Sequence, residues 1–168
     1  MSLTFHTSLG DIKVELFVGE CPRTSFNLLA LAASGYYDGL TFHRNIPGFM
    51  IQGGDPTSKG KGGESIWGGR FEDEIRGELK HDKRGVLSMA NQGPNTNGSQ
   101  FFFLYSAQNH LDGAYATFGQ IIQGISVLDA MEKVPVGKKN RPMEPIIIKN
   151  ITIHANPFAN DIHSTLSN

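Results

Sequence analysis

The chain has 168 residues, a length typical of a single domain with a large core. Its 15 basic and 16 acidic residues leave a net charge of -1, which excludes the strongly basic surface expected of a protein that wraps nucleic acid or docks on anionic membrane. The N-terminus shows no secretory pattern and no apolar run is long enough to span a bilayer, so we expect a soluble protein of the cytoplasm or nucleus.

The first predicted elements are a β-hairpin and a helix. Apolar residues occupy every second place in residues 3–7 and 12–16, and the sequence SLGD at 8–11 supplies a turn between them. Pro22 then favours a helix start, because its fixed φ suits the first helical position. An apolar stripe at i, i+3, i+4, i+7 spacing follows, and Gly35 is typical of the residue that ends a helix.

The stretch FHRNIPGFMIQGGD, residues 42–55, is apolar enough for a sheet strand but also carries Arg44 and Gln52. Side chains alternate between the faces of a strand, so we expect Phe42 to share a face with Arg44, and Met50 to share one with Gln52. Apolar groups around a few fixed hydrogen-bond donors are typical of a ligand pocket.

The remainder of the chain adds strands, one loop and one helix. Residues 53–69 are rich in Gly, Ser and Lys, which predicts a long surface loop. Strands are predicted over residues 86–90, 100–105, 115–122 and 146–154. A helix is predicted over residues 127–134, with Ser126 and Asp129 as its capping box. We assign residues 1–156 to one domain and 157–168 to a flexible C-terminal tail.

The expected fold is mainly β. About eight short strands joined by tight turns, with two helices, argue against alternating βαβ units. They favour a closed eight-stranded antiparallel barrel capped by the two helices.

Several kinds of chemistry lack support in the sequence. The Gly-rich loop fails the phosphate-binding pattern because Lys61 is followed by Gly62 rather than Ser or Thr. The six histidines form no HExxH pair and no set with cysteine, so no metal site is expected. Cys21 is the single thiol and lies at a helix start without an evident base, which favours a structural role over a reactive one.

A donor-rich apolar set remains in two segments, 44–52 and 85–105. Taken singly, each member also has an ordinary explanation: Phe49, Met50 and Phe102 as core, Arg44 in a surface ion pair, and Gln100 as an exposed polar residue. Gln100 is expected to share a face with Phe102.

Three blocks of sequence resemble a known family. They are FHRNIPGFMIQGGDPTSKGKGGESIWG at 42–68, SMANQGPNTNGSQFF at 88–102 and HLDGAYATFGQIIQG at 110–124. Together they resemble the signatures of the cyclophilins, the peptidyl-prolyl cis-trans isomerases, over nearly the whole chain. The pattern is most similar to the short single-domain isomerase-like 3 branch of that family. The resemblance implies the same capped barrel, and isomerisation of X-Pro bonds in folding or assembling proteins.

The resemblance also implies roles for individual residues. Arg44, Phe49 and Gln52 would be catalytic, with Arg44 donating to the prolyl nitrogen. The implied substrate-binding residues are Met50, Ala90, Asn91, Gln100, Phe102, His110, Leu111 and Tyr115. The backbone of Asn91 would hold the peptide, and Ala90 would line the neighbouring groove. No metal or organic cofactor is implied.

Two positions depart from the commonest cyclophilin pattern. His110 stands where most members have Trp, and Tyr115 where many have His. The indole N–H of that Trp is part of cyclosporin recognition in the family, so we expect weakened cyclosporin binding with retained catalysis. Asn45 and Gln92 are milder departures to which no role is assigned.

An alternative remains open beside the enzyme. The same groove could act as a proline-peptide-binding scaffold module in the spliceosome, with low or incidental turnover, since the isomerase-like 3 branch is associated with splicing. Expected partners are therefore proline-containing peptides and proteins, including spliceosomal proteins, with no direct nucleic acid and no membrane. A monomer is expected.

Overall fold

The computed structural model describes residues 1–154, and the predicted tail from residue 157 lies outside them. The strands are β1 (Ser2–Thr7), β2 (Gly10–Leu16), β3 (Arg44–Ile46), β4 (Met50–Gly53), β5 (Val86–Met89), β6 (Phe101–Leu104), β7 (Thr117–Gln123) and β8 (Ile148–His154). The helices are α1 (Pro22–Ala33) and α2 (Ile125–Glu132), and short 3₁₀ turns lie at Asn109–Leu111 and Lys138–Asn140. Neither α-helix of this described part has the length and apolar character needed to cross a membrane.

The strands form one antiparallel sheet in the order β3-β4-β6-β5-β7-β2-β1-β8. The sheet curls so that the chain ahead of β3 meets the start of β8. At this seam Phe42 N donates to Ile146 O (2.9 Å) and Ile148 N donates to Leu40 O (2.8 Å). The predicted antiparallel barrel is confirmed. It is a curled sheet whose two ends are joined by the short seam.

The alternation of apolar residues fills the interior of the barrel. Phe5 lies 5.4 Å from Phe101 and 5.8 Å from Phe103 between ring centroids. Full burial of such a side chain contributes about 1.5–3 kcal/mol. Other residues that are fully buried include Leu3, Ile12, Val14, Leu28, Leu29, Ile51, Leu87 and Phe118.

The two helices close opposite ends of the barrel. The start of α1 meets β7 at its first residue, where the Cys21 thiol lies 3.5 Å from Thr117 O. Helix α2 follows the last residue of β7, and its Val127 lies against Gly10 at the start of β2. The predicted arrangement of two capping helices is confirmed.

Helix α1 has the predicted boundaries. Pro22 is its first residue, and the chain leaves it through Gly35 with φ +78°. Gly35 N donates to Ala32 O (3.1 Å) and Tyr36 N donates to Leu31 O (3.0 Å), the two bonds of a Schellman motif. Local signals at both ends are sufficient to define this helix.

Helix α2 starts earlier than predicted. It begins at Ile125, and its N-cap is Gly124 with φ +95° and no side-chain cap hydrogen bond, so the capping box of Ser126 and Asp129 is wrong. A Cβ at position 124 would collide with the carbonyl oxygen of Asp11 on β2. The close approach of β2 therefore selects glycine as the residue that turns the chain from β7 into the helix.

Residues 42–55 form two strands rather than one. Phe49 N donates to Ile46 O (2.9 Å), closing a turn in which Pro47 precedes Gly48 at φ +79°, as type II turns require. Phe42 packs inward, 6.1 Å from the ring of Phe101, whereas Arg44 faces the outside opposite Gln52. The prediction that Phe42 and Arg44 share a face is therefore wrong, because the backbone does not keep strand alternation ahead of β3.

Candidate active site

A second apolar cluster lies on the outer face of the barrel. Ile51, Phe101 and Phe103 point into the core, and strand alternation sends Met50 and Phe102 outward. An outer sheet face is usually solvated, but here Leu111 and Tyr115 cover part of it. The resulting cleft, called the groove below, is lined by Arg44, Phe49, Met50, Gln52, Gly60, Ala90, Asn91, Phe102, Leu111 and Tyr115.

Arg44 is an exposed cation at one side of the groove. It lies directly opposite Gln52 in the ladder between β3 and β4. Within residues 1–154 the guanidinium of Arg44 has no hydrogen bond and no salt bridge, so the alternative of a surface ion pair gains no support there. A guanidinium carries five N–H donors and stays charged in proteins, so its donors are available to a ligand.

Gln52 and Gln100 connect the groove to the Gly-rich loop. Gln52 Nε2 donates to Gln100 Oε1 (2.8 Å), and Gln100 Nε2 donates to Gly62 O (2.9 Å). Gln100 is buried rather than exposed, which rules out the ordinary interpretation of an exposed polar side chain. Its two bonds fix the amide of Gln52, whose remaining oxygen stays available beside Arg44.

Phe102 forms the apolar floor of the groove, with Met50 and Leu111 buried beside it. The ring of Phe102 stacks on His81 at 6.2 Å and 16° between ring planes, and meets Tyr115 edge-on at 5.8 Å. A ring held on two sides is a preorganised surface for an apolar ligand. Phe49 lies half-buried near the other apolar side chains.

His81 is a buried residue that sequence reasoning did not assign to the site. Its backbone N–H donates to Asp112 Oδ1 (2.7 Å), its Nδ1 lies 2.8 Å from the same oxygen, and its Nε2 lies 2.9 Å from Ser88 Oγ. Burial lowers the pKa of His81, although its hydrogen bond with Asp112 opposes that shift. No spacing in the sequence signals a pair 31 residues apart, so only the fold reveals this support beneath Phe102.

Ala90 and Asn91 form the opposite rim. Ala90 N donates to Gln100 O (3.1 Å). Asn91, the next residue, therefore lies just beyond the paired residues of β5 and β6. Asn91 Nδ2 donates to Ala114 O (2.8 Å), so the side chain fixes the rim. In the described part of the chain the backbone N–H and C=O of Asn91 make no hydrogen bond, which leaves them open to an extended peptide.

His110 is exposed at the outer end of the groove, in the 3₁₀ turn that precedes Leu111. Its ring centroid lies 6.0 Å from that of Phe49. Of the eleven candidate residues, nine line the groove directly, Gln100 reaches it through Gln52, and His110 borders it. Gly60 also lines the groove and was not among the candidates.

The Gly-rich loop is built around a buried carboxylate. Asp55 accepts backbone hydrogen bonds from Thr57, Lys59, Gly60 and Gly62. Burial would raise the pKa of Asp55, but these hydrogen bonds outweigh it and lower the pKa below its ordinary value. A loop whose N–H groups are occupied by its own aspartate is not a phosphate cradle, which agrees with the sequence reading.

Cys21 is buried, and its thiol donates to Glu74 O (3.4 Å). Burial, reinforced by the Glu74 carboxylate, raises the pKa of the Cys21 thiol to about 12. The thiolate needed for nucleophilic attack is therefore scarce at neutral pH, and the structural reading is favoured. In residues 1–154 no group of three or more His, Cys, Asp or Glu side chains could hold a metal ion.

Comparison with known proteins places this geometry in context. The family model described as cyclophilin type peptidyl-prolyl cis-trans isomerase/CLD matches residues 2–153. The peptidyl-prolyl cis-trans isomerase CYP18-1 of Arabidopsis thaliana is 62% identical over 159 residues, covering 95% of this chain and 99% of the relative. The human peptidyl-prolyl cis-trans isomerase-like 3 is 60% identical over 160 residues, with the same two coverages.

A solved structure is similar over nearly its full length. It is a cyclophilin type peptidyl-prolyl cis-trans isomerase of Cryptosporidium parvum, crystallised in the presence of the dipeptide Ala-Pro. The two chains share 53% sequence identity and superpose with a TM-score of 0.90, covering 93% of this chain and 100% of the other.

Proposed function

This chain belongs to the cyclophilin-type peptidyl-prolyl cis-trans isomerase family, and on that premise we propose how its groove accelerates rotation about X-Pro bonds. The enzyme interconverts the cis and trans forms of the peptide bond that precedes proline.

The barrier to be lowered comes from amide conjugation. Rotation about a peptide bond costs about 18–20 kcal/mol because the C–N bond has partial double-bond character. In the twisted transition state that conjugation is lost, and the prolyl nitrogen regains a lone pair able to accept a hydrogen bond. A donor aimed at this nitrogen binds the transition state more tightly than either planar ground state, and only such differential binding raises the rate.

Arg44 is the proposed donor. The observation that carries the proposal is an exposed guanidinium without a partner among the described residues, at the side of an apolar groove floored by Phe102. Its charge is permanent, and the neighbouring apolar walls strengthen its field relative to bulk water. The reaction needs no proton transfer and no covalent intermediate.

The other residues bind and orient the substrate. We assign the proline ring to the apolar surface of Phe49, Met50, Phe102 and Leu111, with Tyr115 closing its edge. Gln52, fixed by Gln100, orients the peptide and the guanidinium of Arg44. Ala90 and the open backbone of Asn91 hold the residues that precede proline as an extended strand.

The test is cis/trans exchange measured by NMR on a panel of Ala-Xaa-Pro-Phe peptides with catalytic amounts of protein. We expect strong acceleration by the wild type, and its loss in Arg44→Ala at unchanged fold. Arg44→Lys is the matched variant that keeps the charge but not the planar fork of donors, and it should recover only part of the rate. Peptide binding without any acceleration by the wild type would contradict the proposal and favour a recognition module.

The cellular setting is a further part of the proposal. We propose that the enzyme acts as a monomer on proline-containing proteins of the splicing machinery, in the nucleus or the cytoplasm. Similarity to the isomerase-like 3 proteins supports this, and a net charge of -1 offers no electrostatic footprint for wrapping RNA directly. Proximity labelling with the wild type and Arg44→Ala should enrich splicing proteins with both; enrichment of neither nuclear nor splicing proteins would contradict the setting.

A further inference from the structure

The hairpin that carries Arg44 and Phe49 stands at the edge of the sheet. Its first strand, β3, has three residues and pairs with β4 on one side. A two-stranded hairpin of this length is not stable by itself in water. Its position must therefore be set by contacts with the rest of the barrel.

The turn of this hairpin is held by two neighbouring segments, the end of α2 and residues 105–106. Gly48 N donates to Glu132 Oε2 at the end of α2 (2.8 Å), and Ser106 Oγ donates to Gly48 O (2.6 Å). Tyr105 N donates to Phe49 O (2.9 Å). The position of Phe49 is consequently fixed by hydrogen bonds to its own backbone and to the backbone of Gly48.

Glu132 is itself held by Arg84. Arg84 forms salt bridges to Glu132 Oε1 (2.9 Å) and to Asp129 (2.6 Å), and its guanidinium also donates to Tyr105 O (2.9 Å). One oxygen of the Glu132 carboxylate thus bonds to Arg84, and the other accepts a hydrogen bond from the turn. Arg84 lies over the Tyr105 ring at 5.3 Å, which ties the same cation to the strand beside the turn.

The strand β3 is held from its inner side by a buried polar pair. Asn45 follows Arg44 and points inward, fully buried. The Tyr105 hydroxyl donates to Asn45 Oδ1 (2.6 Å), and Asn45 Nδ2 donates to Met131 O on α2 (2.8 Å). Buried amides without partners are costly, so these two bonds specify where β3 lies.

We propose that Glu132 and Tyr105 are positioning residues for the isomerase reaction. Glu132 fixes the turn that carries Phe49, and Tyr105 fixes β3, which carries Arg44. The inference rests on the proposed roles of Arg44 and Phe49 in the groove. Small displacements of such groups reduce rates strongly, because catalysis depends on geometry held to a fraction of an ångström.

The first test compares Glu132→Ala with Glu132→Gln, with kcat and KM measured separately by NMR. Alanine removes both bonds of the carboxylate, whereas the glutamine oxygen can still accept from Gly48 N–H. We expect Glu132→Ala to lower kcat/KM roughly tenfold, mainly through KM, and Glu132→Gln to recover most of it. Glu72→Ala is the matched control, since it removes a glutamate that is also paired with an arginine, Arg23 at 2.6 Å, away from the groove.

The second test is Tyr105→Phe, which removes the bond to Asn45 and keeps the backbone bond to Phe49. We expect a several-fold loss in kcat with a smaller change in KM, because Arg44 moves while the Phe49 wall stays. All variants are assayed well below their melting midpoints, so that lowered stability alone leaves the activity of the folded enzyme unchanged. The amide NMR signal of Gly48 should move in Glu132→Ala and stay in Tyr105→Phe.

The outcomes separate this inference from the proposed function. Wild-type kcat and KM in Glu132→Ala, alongside a lowered melting temperature, would show a purely structural role and overturn the inference. Equal damage by alanine and glutamine at 132 would overturn the role of the Gly48 bond. If Arg44→Ala is inactive while Glu132→Ala is fully active, only the positioning role of Glu132 is contradicted. If Arg44→Ala is fully active, the proposed catalytic role of Arg44 is contradicted.

Discussion

Gln52 and Gln100 are joined side chain to side chain at 2.8 Å, and Gln52 lies directly opposite Arg44 in the β3–β4 ladder. The second end of Gln100 is bonded to Gly62 O. The Gln52 amide, next to the cation proposed to be catalytic, is thus fixed by hydrogen bonds that reach the Gly-rich loop, so we expect an alteration in that loop to affect the groove.

We expect Gln100→Ala to lower kcat/KM roughly tenfold, because the loss of one hydrogen bond worth about 1 kcal/mol also frees the Gln52 amide to rotate. Gln52→Ala should lower kcat/KM by at least the same factor. Since both residues act through one bond, the double variant should be little worse than Gln52→Ala, with a coupling energy of about 0.5–3 kcal/mol. The kinetics of all four proteins by NMR check this, and additive losses would contradict the coupling.

His110 should weaken cyclosporin binding. Its ring lies 6.0 Å from Phe49 at the mouth of the groove, where an indole would offer a larger surface and a directed N–H. We expect His110→Trp to bind cyclosporin at least roughly tenfold more tightly than the wild type, from one hydrogen bond of about 1 kcal/mol and added aromatic contact. Titration calorimetry measures both affinities, with X-Pro turnover as the control for an intact groove. A nanomolar affinity in the wild type would disprove this expectation.

Two buried histidines predict a loss of stability in mild acid. Burial lowers the pKa values of His43 and His81 below 6.5, although Asp55 opposes the shift at His43 and Asp112 opposes it at His81. Below pH 6.5 the unfolded chain takes up protons that the folded chain does not, so the free energy of unfolding falls as the pH drops. Each histidine contributes up to about 1.4 kcal/mol per pH unit within that window.

The measurement is urea unfolding, followed by Trp67 fluorescence, at several pH values between 7.5 and 5. His43 is the histidine to replace, because its ring nitrogens have no hydrogen-bond partner in residues 1–154. We expect His43→Gln to flatten the slope below pH 6.5 and to leave the profile above pH 7 parallel to that of the wild type. Equal slopes below pH 6.5 would show that His43 keeps the same protonation in both states. The lowered pKa of Asp55 acts in the same direction but only in stronger acid, below its ordinary value of 3.8.

Local sequence signals predicted the parts of the fold that local bonds define. Pro22 and Gly35 bound α1 because the first helical position and the Schellman motif involve only neighbouring residues. The start of α2 was missed because the constraint on Gly124 comes from the carbonyl of Asp11, more than a hundred residues earlier in the chain. The Pro47-Gly48 pair was itself a turn signal, and reading it would have divided residues 42–55 into two strands.

The groove was predictable only in part. Apolar residues around Arg44 and Gln52 suggested a pocket, while the individual roles came from family resemblance rather than from spacing. Asn45 received no role and Glu132 was not a candidate, because their partners lie on other elements, at Tyr105, Met131 and Gly48. Strand alternation could have flagged Asn45, since a polar residue at an inward position beside an outward arginine needs a buried partner.

The seam between the start of β8 and the chain ahead of β3 has a consequence for the motions of the enzyme. Few backbone hydrogen bonds cross this line, whereas β1 and β2 pair along six positions. Local opening is therefore easier at the seam than between β1 and β2, and we expect amide hydrogen exchange to be faster at the seam than in that pair. Arg44 lies two residues beyond Phe42, so the residue proposed to donate to the prolyl nitrogen lies next to this seam. A peptide bound between Arg44 and Phe102 would join β3 to β6, and so would add a contact beside the seam that the empty enzyme lacks.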